Sequence, residues 1–210
     1  RTQFFLKRCA LSFVWKGDVK KFFDNVDHAV LREILSRTIK NKKAFELISK
    51  IIYSFNTHTH THTGGRRGMA IGNLTSQIFA NIYLNEFDRF VEHELKPQAY
   101  LRYGDDFILI EEDKERLIAL QAAATEFLKN HLNLAIHPAC KKVFKARHGL
   151  KFLGVVVRPW ERLLNRRNIR RIHLQLNLLN VASYRGLILK HGTSEDQKEF
   201  SWEICERLLL

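Results

Sequence analysis

The chain has 210 residues, 45% of them hydrophobic, enough apolar material for one folded domain or a domain with an appendage. Its 35 Lys and Arg outnumber 22 Asp and Glu, a formal charge of +13, so a polyanionic partner is expected, most often a nucleic acid. No apolar run approaches the ~20 residues that span a bilayer, which argues against a membrane protein. The first residues lack a signal-peptide core. Cys9, Cys140 and Cys205 form no C-x-x-C pair, so reduced thiols and a cytoplasmic location are expected. The chain begins at Arg1 without an initiator Met, as a fragment or a processed chain would.

In chain order, residues 11–19 are β-rich and end at Asp18. Asp27 is placed to cap a helix running to about Ile39, with Val30, Leu31, Ile34 and Leu35 on one face. A second helix is predicted from about Lys43 to Phe55, and a loop over 56–68. Leu74 to about Leu95 has helical periodicity, with Ile78, Ile82, Phe87, Phe90 and Val91 sharing a face. Residues 99–103 and 107–111 read as a β-hairpin. Asp113 can cap a helix to about His131 that turns Leu117, Leu120, Ala124, Phe127 and Leu128 inward. Short strands are expected near 134–137, 142–145 and 151–157. From Pro159 onward the chain is more basic and mostly helical.

This order predicts an α+β fold on the ferredoxin-like βαββαβ plan, with extra helices. The main domain is expected over residues 1–158, and a small helical basic appendage over 159–210. On this plan the end of the first strand and the tip of the central hairpin lie side by side. Asp18 would then meet Asp105 and Asp106, which stand in Tyr103-Gly104-Asp105-Asp106 with apolar residues on both sides. Adjacent carboxylates repel, and a divalent cation removes that penalty. Three such carboxylates can hold two Mg²⁺ ions about 3.5–4 Å apart, with Mn²⁺ as a substitute, and so carry phosphoryl transfer. The Thr-His repeat with His58, His60 and His62 has the alternation of a Zn²⁺ or Ni²⁺ site. It lacks acidic or cysteine partners and is expected to be plain loop.

Asp18-Val-Lys-Lys-Phe-Phe-Asp24 with Asn-Val-Asp27-His28 resembles motif A of reverse transcriptases. Gly68-Met-Ala-Ile-Gly72-Asn-Leu-Thr-Ser76-Gln77 resembles motif B, Tyr103-Gly-Asp-Asp106 motif C, and Phe152-Leu-Gly154 the primer grip. The Ile-Gly-x-x-x-Ser-Gln form, with Ser183-Tyr-Arg-Gly-Leu-Ile-Leu-Lys-His191-Gly192, is similar to the reverse transcriptases of diversity-generating retroelements. The resemblance implies a polymerase palm with a partial thumb, and fingers motifs that would precede this sequence. It implies Asp18, Asp105 and Asp106 as catalytic metal ligands, completed by the Val19 carbonyl.

It further implies that Phe23 is a steric gate selecting deoxynucleotides. Ile71, Gly72, Ser76 and Gln77 would sit by the nucleotide. Ile71 replaces a glutamine that in many relatives contacts the incoming sugar, and its loss would relax base-pair selection. Lys141 or Lys142 would protonate the leaving pyrophosphate. Phe152, Leu153 and Gly154 would hold the primer end. Arg66, Arg67, Arg166, Arg167, Arg170 and Arg171 would follow phosphates. The implied partners are an RNA template, a DNA or RNA primer, dNTPs and a small basic accessory protein. The competing readings are a group II intron-type reverse transcriptase, an RNA-dependent RNA polymerase and a non-catalytic nucleic-acid-binding palm.

Overall fold

The computed structural model describes residues 2–55 and 65–208. Its chain contacts divide it into two compact units. One is Ser12–Phe144; the other combines the segment up to Leu11 with the segment from Lys145 onward.

In chain order the elements are α1 (Thr2–Arg8), β1 (Phe13–Asp18), α2 (Phe22–Asn25), α3 (His28–Thr38), α4 (Lys42–Tyr53) and α5 (Leu74–Phe90). They continue as β2 (Ala99–Tyr103), β3 (Asp106–Glu111), α6 (Lys114–Leu132) and β4 (Val143–Lys145). Then come β5 (Leu150–Phe152), β6 (Val155–Val157), β7 (Arg162–Leu164), α7 (Arg166–Gln175), α8 (Val181–His191) and α9 (Ser194–Leu208). The sheet that carries β1 has the order β2-β3-β1-β4, which is the ferredoxin-like order. The α+β architecture read from the sequence is the one observed.

The starts of α3, α4, α5 and α6 are set by side-chain caps. The Asp27 carboxylate accepts from the Ala29 and Val30 amides, Asn41 from Ala44, Asn73 from Thr75, and Asp113 from Glu115 and Arg116. Each cap satisfies donors that a helix N-terminus otherwise leaves open. The α6 helix stops where Asn133 turns left-handed at φ 51°. Helices and sheet then close over one core. Trp15, Val19, Phe107 and Leu109 from the sheet meet Leu31, Leu35, Phe79, Tyr83, Phe87, Leu117, Ala124 and Leu128 from the helices. Side chains this fully buried each contribute about 1.5–3 kcal/mol.

The second unit has its own small core of Leu164, Ile172, Ile188 and Phe200. Its sheet runs β5-β6-β7. The β5–β6 link is a two-residue turn with Leu153 at φ 50° and Gly154 at φ 82°, the signature of a tight hairpin. The α7 and α9 helices are joined by His173, whose Nδ1 lies 2.6 Å from Glu203 Oε2. Gln3 and Lys7 of α1 belong here too: Gln3 accepts from Arg162, and the Lys7 ammonium lies over the Trp160 ring.

Three expectations change. The chain does not divide after residue 158, because β6 pairs on both sides, Leu150↔Val157 and Val155↔Leu164, and that ladder keeps 150–164 in one unit. The predicted strand at 134–137 is reduced to a single bridge, Val19↔Ile136. The chain leaves β1's course at Lys21, left-handed at φ 47°, so there is nothing further to pair with. On α5 the buried face is Phe79, Ala80, Tyr83, Leu84 and Phe87, and Ile78 is 51% exposed.

Candidate active site

The β1–β3 register builds the acidic end of the sheet. The two strands are antiparallel, with Asp18 opposite Asp106, Gly17 opposite Phe107 and Lys16 opposite Ile108. Side chains alternate along a strand, so Asp18 and Asp106 project from the same face. Gly17 falls on the core face, under the Phe107 ring. A Cβ there would lie 2.2 Å from the ring. The glycine before Asp18 is therefore a packing requirement that brings β1 close to the aromatic cluster of Trp15, Phe87 and Phe107.

Tyr103 pairs with Asp106, leaving Gly104 and Asp105 as a two-residue turn. Gly104 takes φ 62°, a conformation that favours glycine, and this holds Asp105 at the tip. Arg102 braces that tip. It donates to the Gly104 carbonyl at 3.0 Å and makes a forked ion pair with Asp88 of α5. Tyr100 donates to the same carboxylate at 2.6 Å. Burial and the Asp88 charge push the Tyr100 phenol far above its ordinary value, so it stays a donor.

Asp18 feels the charges of both hairpin carboxylates. Burial first, then the charges of Asp105 and Asp106, push the Asp18 carboxyl above the usual aspartate value, while Lys16 and His137 draw it partly back. Lys16 Nζ lies 2.7 Å from Asp106 Oδ1. Among the described residues no three His, Cys, Asp or Glu side chains form a self-sufficient metal cluster. The arrangement is an open one: Asp18 and Asp106 offer hard oxygen donors on one face of the sheet, with Asp105 next to them in the turn. This donor set suits Mg²⁺, which keeps few protein ligands and completes its shell with water and substrate oxygens.

Val19 follows directly. The bridge to Ile136 uses the Lys20 amide to the Ala135 carbonyl and the His137 amide to the Asp18 carbonyl. The Val19 carbonyl takes no part in it and points away from that segment, as alternation requires. Phe23 is half-buried at the rim of the core, 5.3 Å from the fully buried Phe22 ring. Its carbonyl accepts from the Met69 amide at 2.7 Å. Further bonds join this region to the segment before α5: Gly68 amide to Val26 carbonyl, His28 amide to Arg66 carbonyl, and His28 Nε2 to the Gly68 carbonyl at 2.7 Å. Beyond them Ile71 is 78% exposed. Gly72 has φ 88° with open space where a Cβ would go, so its glycine serves the backbone angle. Ser76 is buried on α5 and Gln77 is exposed.

Lys141 and Lys142 are both exposed, at and just after the short 3-10 turn Pro138–Lys141, so exposure does not choose between them. That turn lies against β1, where the Trp15 indole donates to the Cys140 carbonyl at 2.6 Å. Arg66 stacks over the Tyr53 ring, and Arg67 lies 3.8 Å from Asp27. Lys20, Lys21, Asp24, Arg67 and Asn133 border an open recess of about 540 Å³. His58, His60 and His62 lie outside the described residues.

In the second unit Phe152 is buried and Leu153 exposed, with Gly154 completing the turn. Arg166, Arg167, Arg170 and Arg171 are exposed on α7 and line a hollow of about 520 Å³ with Leu174 and Gln175. Sequence reasoning missed Lys16, Arg102 and Asp88. The alternation of β1 could have placed Lys16 beside Asp18, but no local signal links Arg102 to Asp88.

A family model for reverse transcriptase (RNA-dependent DNA polymerase) matches residues 7–157. Protein YkfC of Escherichia coli K12 is 25% identical over 174 residues, covering 68% of this chain and 46% of YkfC. Group II intron-encoded protein LtrA of Lactococcus lactis is 36% identical over 76 residues, covering 36% of this chain and 13% of LtrA. Telomerase of Candida tropicalis, solved in complex with a fragment of telomeric RNA, superposes with a TM-score of 0.56 at 14% identity. That match covers 97% of this chain and 42% of the telomerase chain, and it shows a shared fold. The chain thus spans less than half the length of each of these proteins. With the family model spanning the β1 aspartate, the Gly68–Gln77 segment and the Tyr103–Asp106 turn, the chain belongs to the reverse transcriptase family.

Proposed function

We propose that this chain is the palm, with part of the thumb, of an RNA-directed DNA polymerase that extends a primer with dNTPs on an RNA template. The observation that carries this reading is the pairing of Asp18 with Asp106 beside Asp105 at the hairpin tip. Asp18 and Asp105 are the main ligands of a divalent-ion pair, with Asp106 and the Val19 carbonyl supporting. Mg²⁺, or Mn²⁺ in its place, supplies a lowered pKa for the attacking hydroxyl and charge neutralisation at the leaving pyrophosphate.

The chain's own residues position the reactants. Phe23 bounds the sugar site and disfavours a 2′-hydroxyl. Gly72 and the exposed Ile71 lie along the base pair, with Gln77 nearby and Ser76 fixing the helix beneath. Lys141 or Lys142 gives a proton to pyrophosphate. The Phe152–Gly154 turn holds the primer end. The exposed arginines of α7, with Arg66 and Arg67, follow backbone phosphates, and their contribution falls as salt rises.

The Ile-Gly-x-x-x-Ser-Gln form supports an error-prone, diversity-generating retroelement type, which would work with a small basic accessory protein. The likeness to LtrA over 76 residues supports a group II intron type instead. The test is primer extension on an RNA template with dNTPs or rNTPs. Wild type should prefer dNTPs. Asp105→Asn should lower extension by about 10³-fold or more while RNA binding, read by fluorescence anisotropy, stays within about twofold. Extension by Asp105→Asn at the wild-type rate would overturn the mechanism, and a preference for rNTPs would overturn the role of Phe23.

A further inference from the structure

Lys16 is a charged side chain at the acidic end that the proposed chemistry leaves without a role. The strand register dictates where it goes. Val14, Lys16 and Asp18 share a face of β1, and Asp106, Ile108 and Ile110 share the matching face of β3. Lys16 stands opposite Ile108, so Asp106 is its diagonal neighbour. A diagonal of about 7–8 Å is within reach of a lysine stem. The stem is flanked by Val14 and Ile108, both 0% exposed, and its head reaches toward the tip, where it meets Asp106.

The result is an ion pair of 2.7 Å between side chains that are each 27% exposed, a more sheltered pair than those made by Arg37 or Arg158. Its charge also reaches Asp18. An ammonium on one of three crowded carboxylates does what a bound cation would do: it neutralises charge that would otherwise push β1 and the hairpin tip apart.

We propose that Lys16 is a positioning residue that serves as an internal counterion, holding Asp106 while no metal is bound and giving it up as a divalent cation arrives. The inference rests on the reading of the three aspartates as a metal site. An arriving cation must displace the ammonium from Asp106 as well as shed water. Lys16 therefore keeps the metal-free chain folded and weakens metal binding in the absence of substrate, so that full loading waits for the oxygens of a triphosphate.

Two readouts on the full chain test this: the free Mn²⁺ signal in electron paramagnetic resonance, and the thermal midpoint in EDTA. Removing the charge while keeping the stem, Lys16→Met, should tighten Mn²⁺ binding about fivefold, the factor equivalent to a pair of roughly 1 kcal/mol. It should also lower the midpoint in EDTA. Lys16→Arg should keep both properties near wild type. In an Asp106→Asn background, Lys16→Met should change both less than it does in wild type. Mn²⁺ binding by wild type that Asp18→Asn abolishes but Lys16→Met leaves unchanged, or weakens, overturns the counterion role alone. Wild-type Mn²⁺ binding that Asp18→Asn does not affect overturns the metal-site reading and the counterion role with it.

Discussion

The two sides of the first unit's functional end are built in opposite ways. Asp18 and Asp106 stand on β1 and β3, paired residue by residue and seated on buried Trp15, Phe107 and Leu109, with Asp105 in the adjoining turn. The segment from Gly65 to Asn73 is instead tethered at Arg66, Gly68 and Met69, then runs through exposed Ile71 and Gly72 to α5. One side is fixed by a ladder and a core, the other by a few hydrogen bonds to the backbone around α2 and α3. Under the proposed function, a reaction centre that needs invariant geometry would sit on the first. A surface that must accept four different base pairs is well served by the second.

This contrast can be broken most forcefully at Gly17. A methyl there meets the Phe107 ring, itself held edge-on by Trp15 and Phe87. Overpacking of this kind costs about 1–3 kcal/mol, and Gly17→Ala should sit at the upper end in urea unfolding, with extension lost in parallel. A variant as stable as wild type would mean that the two strands are not locked as described.

A smaller effect is expected where the tethers meet the core. His28 is buried and donates from Nε2 to the Gly68 carbonyl, while its Nδ1 meets no hydrogen-bond partner among the described residues. Burial holds its imidazole below the ordinary histidine value. The unfolded chain therefore takes up a proton before the native one does. The stability His28 contributes is complete above the ordinary value of about 6.5 and drains away as pH falls from there toward the depressed native value. Urea midpoints measured from pH 7.5 to 5 should fall, and His28→Gln should flatten that slope. An unchanged slope would remove His28 as the titrating tether.

The smallest effect on stability, and the sharpest on selectivity, is expected at Ile71. A side chain 78% exposed can change with less than about 0.5 kcal/mol in stability. Ile71→Gln should reduce misincorporation opposite template bases at near-normal extension rate, read by sequencing the products. Unchanged errors would dissociate this side chain from base-pair selection.

Much of this was legible in the sequence, because the signals were local. Asp27 and Asp113 cap the helices they were expected to cap, and the Gly104–Asp105 turn lies between the predicted hairpin strands. The fold followed from element order alone. What escaped was set by contacts distant in the chain. The Arg102–Asp88–Tyr100 brace joins a strand to a helix through side chains with no shared motif. Leu134 and Ile136 alternate as a strand would, yet only one bridge forms, because β1's course has already turned. The expected break after residue 158 relied on composition, whereas β6 holds partners on both sides. Ile78 fits a helical stripe by spacing, but the orientation of α5 on the sheet selects the neighbouring stripe.

The Arg102 brace has a mechanical consequence. The α5 helix begins just past Ile71 and Gly72 and reaches Asp88 near its far end, 17 residues in all, a rod of about 25 Å. Arg102 grips that rod at Asp88 and Asn81 and, with the same guanidinium, grips the carbonyl of Gly104. Tilting the rod therefore drags the turn that bears Asp105. A misfit felt where the helix starts would be transmitted as a displaced carboxylate, with α5 as the lever arm and Arg102 as its pivot pin.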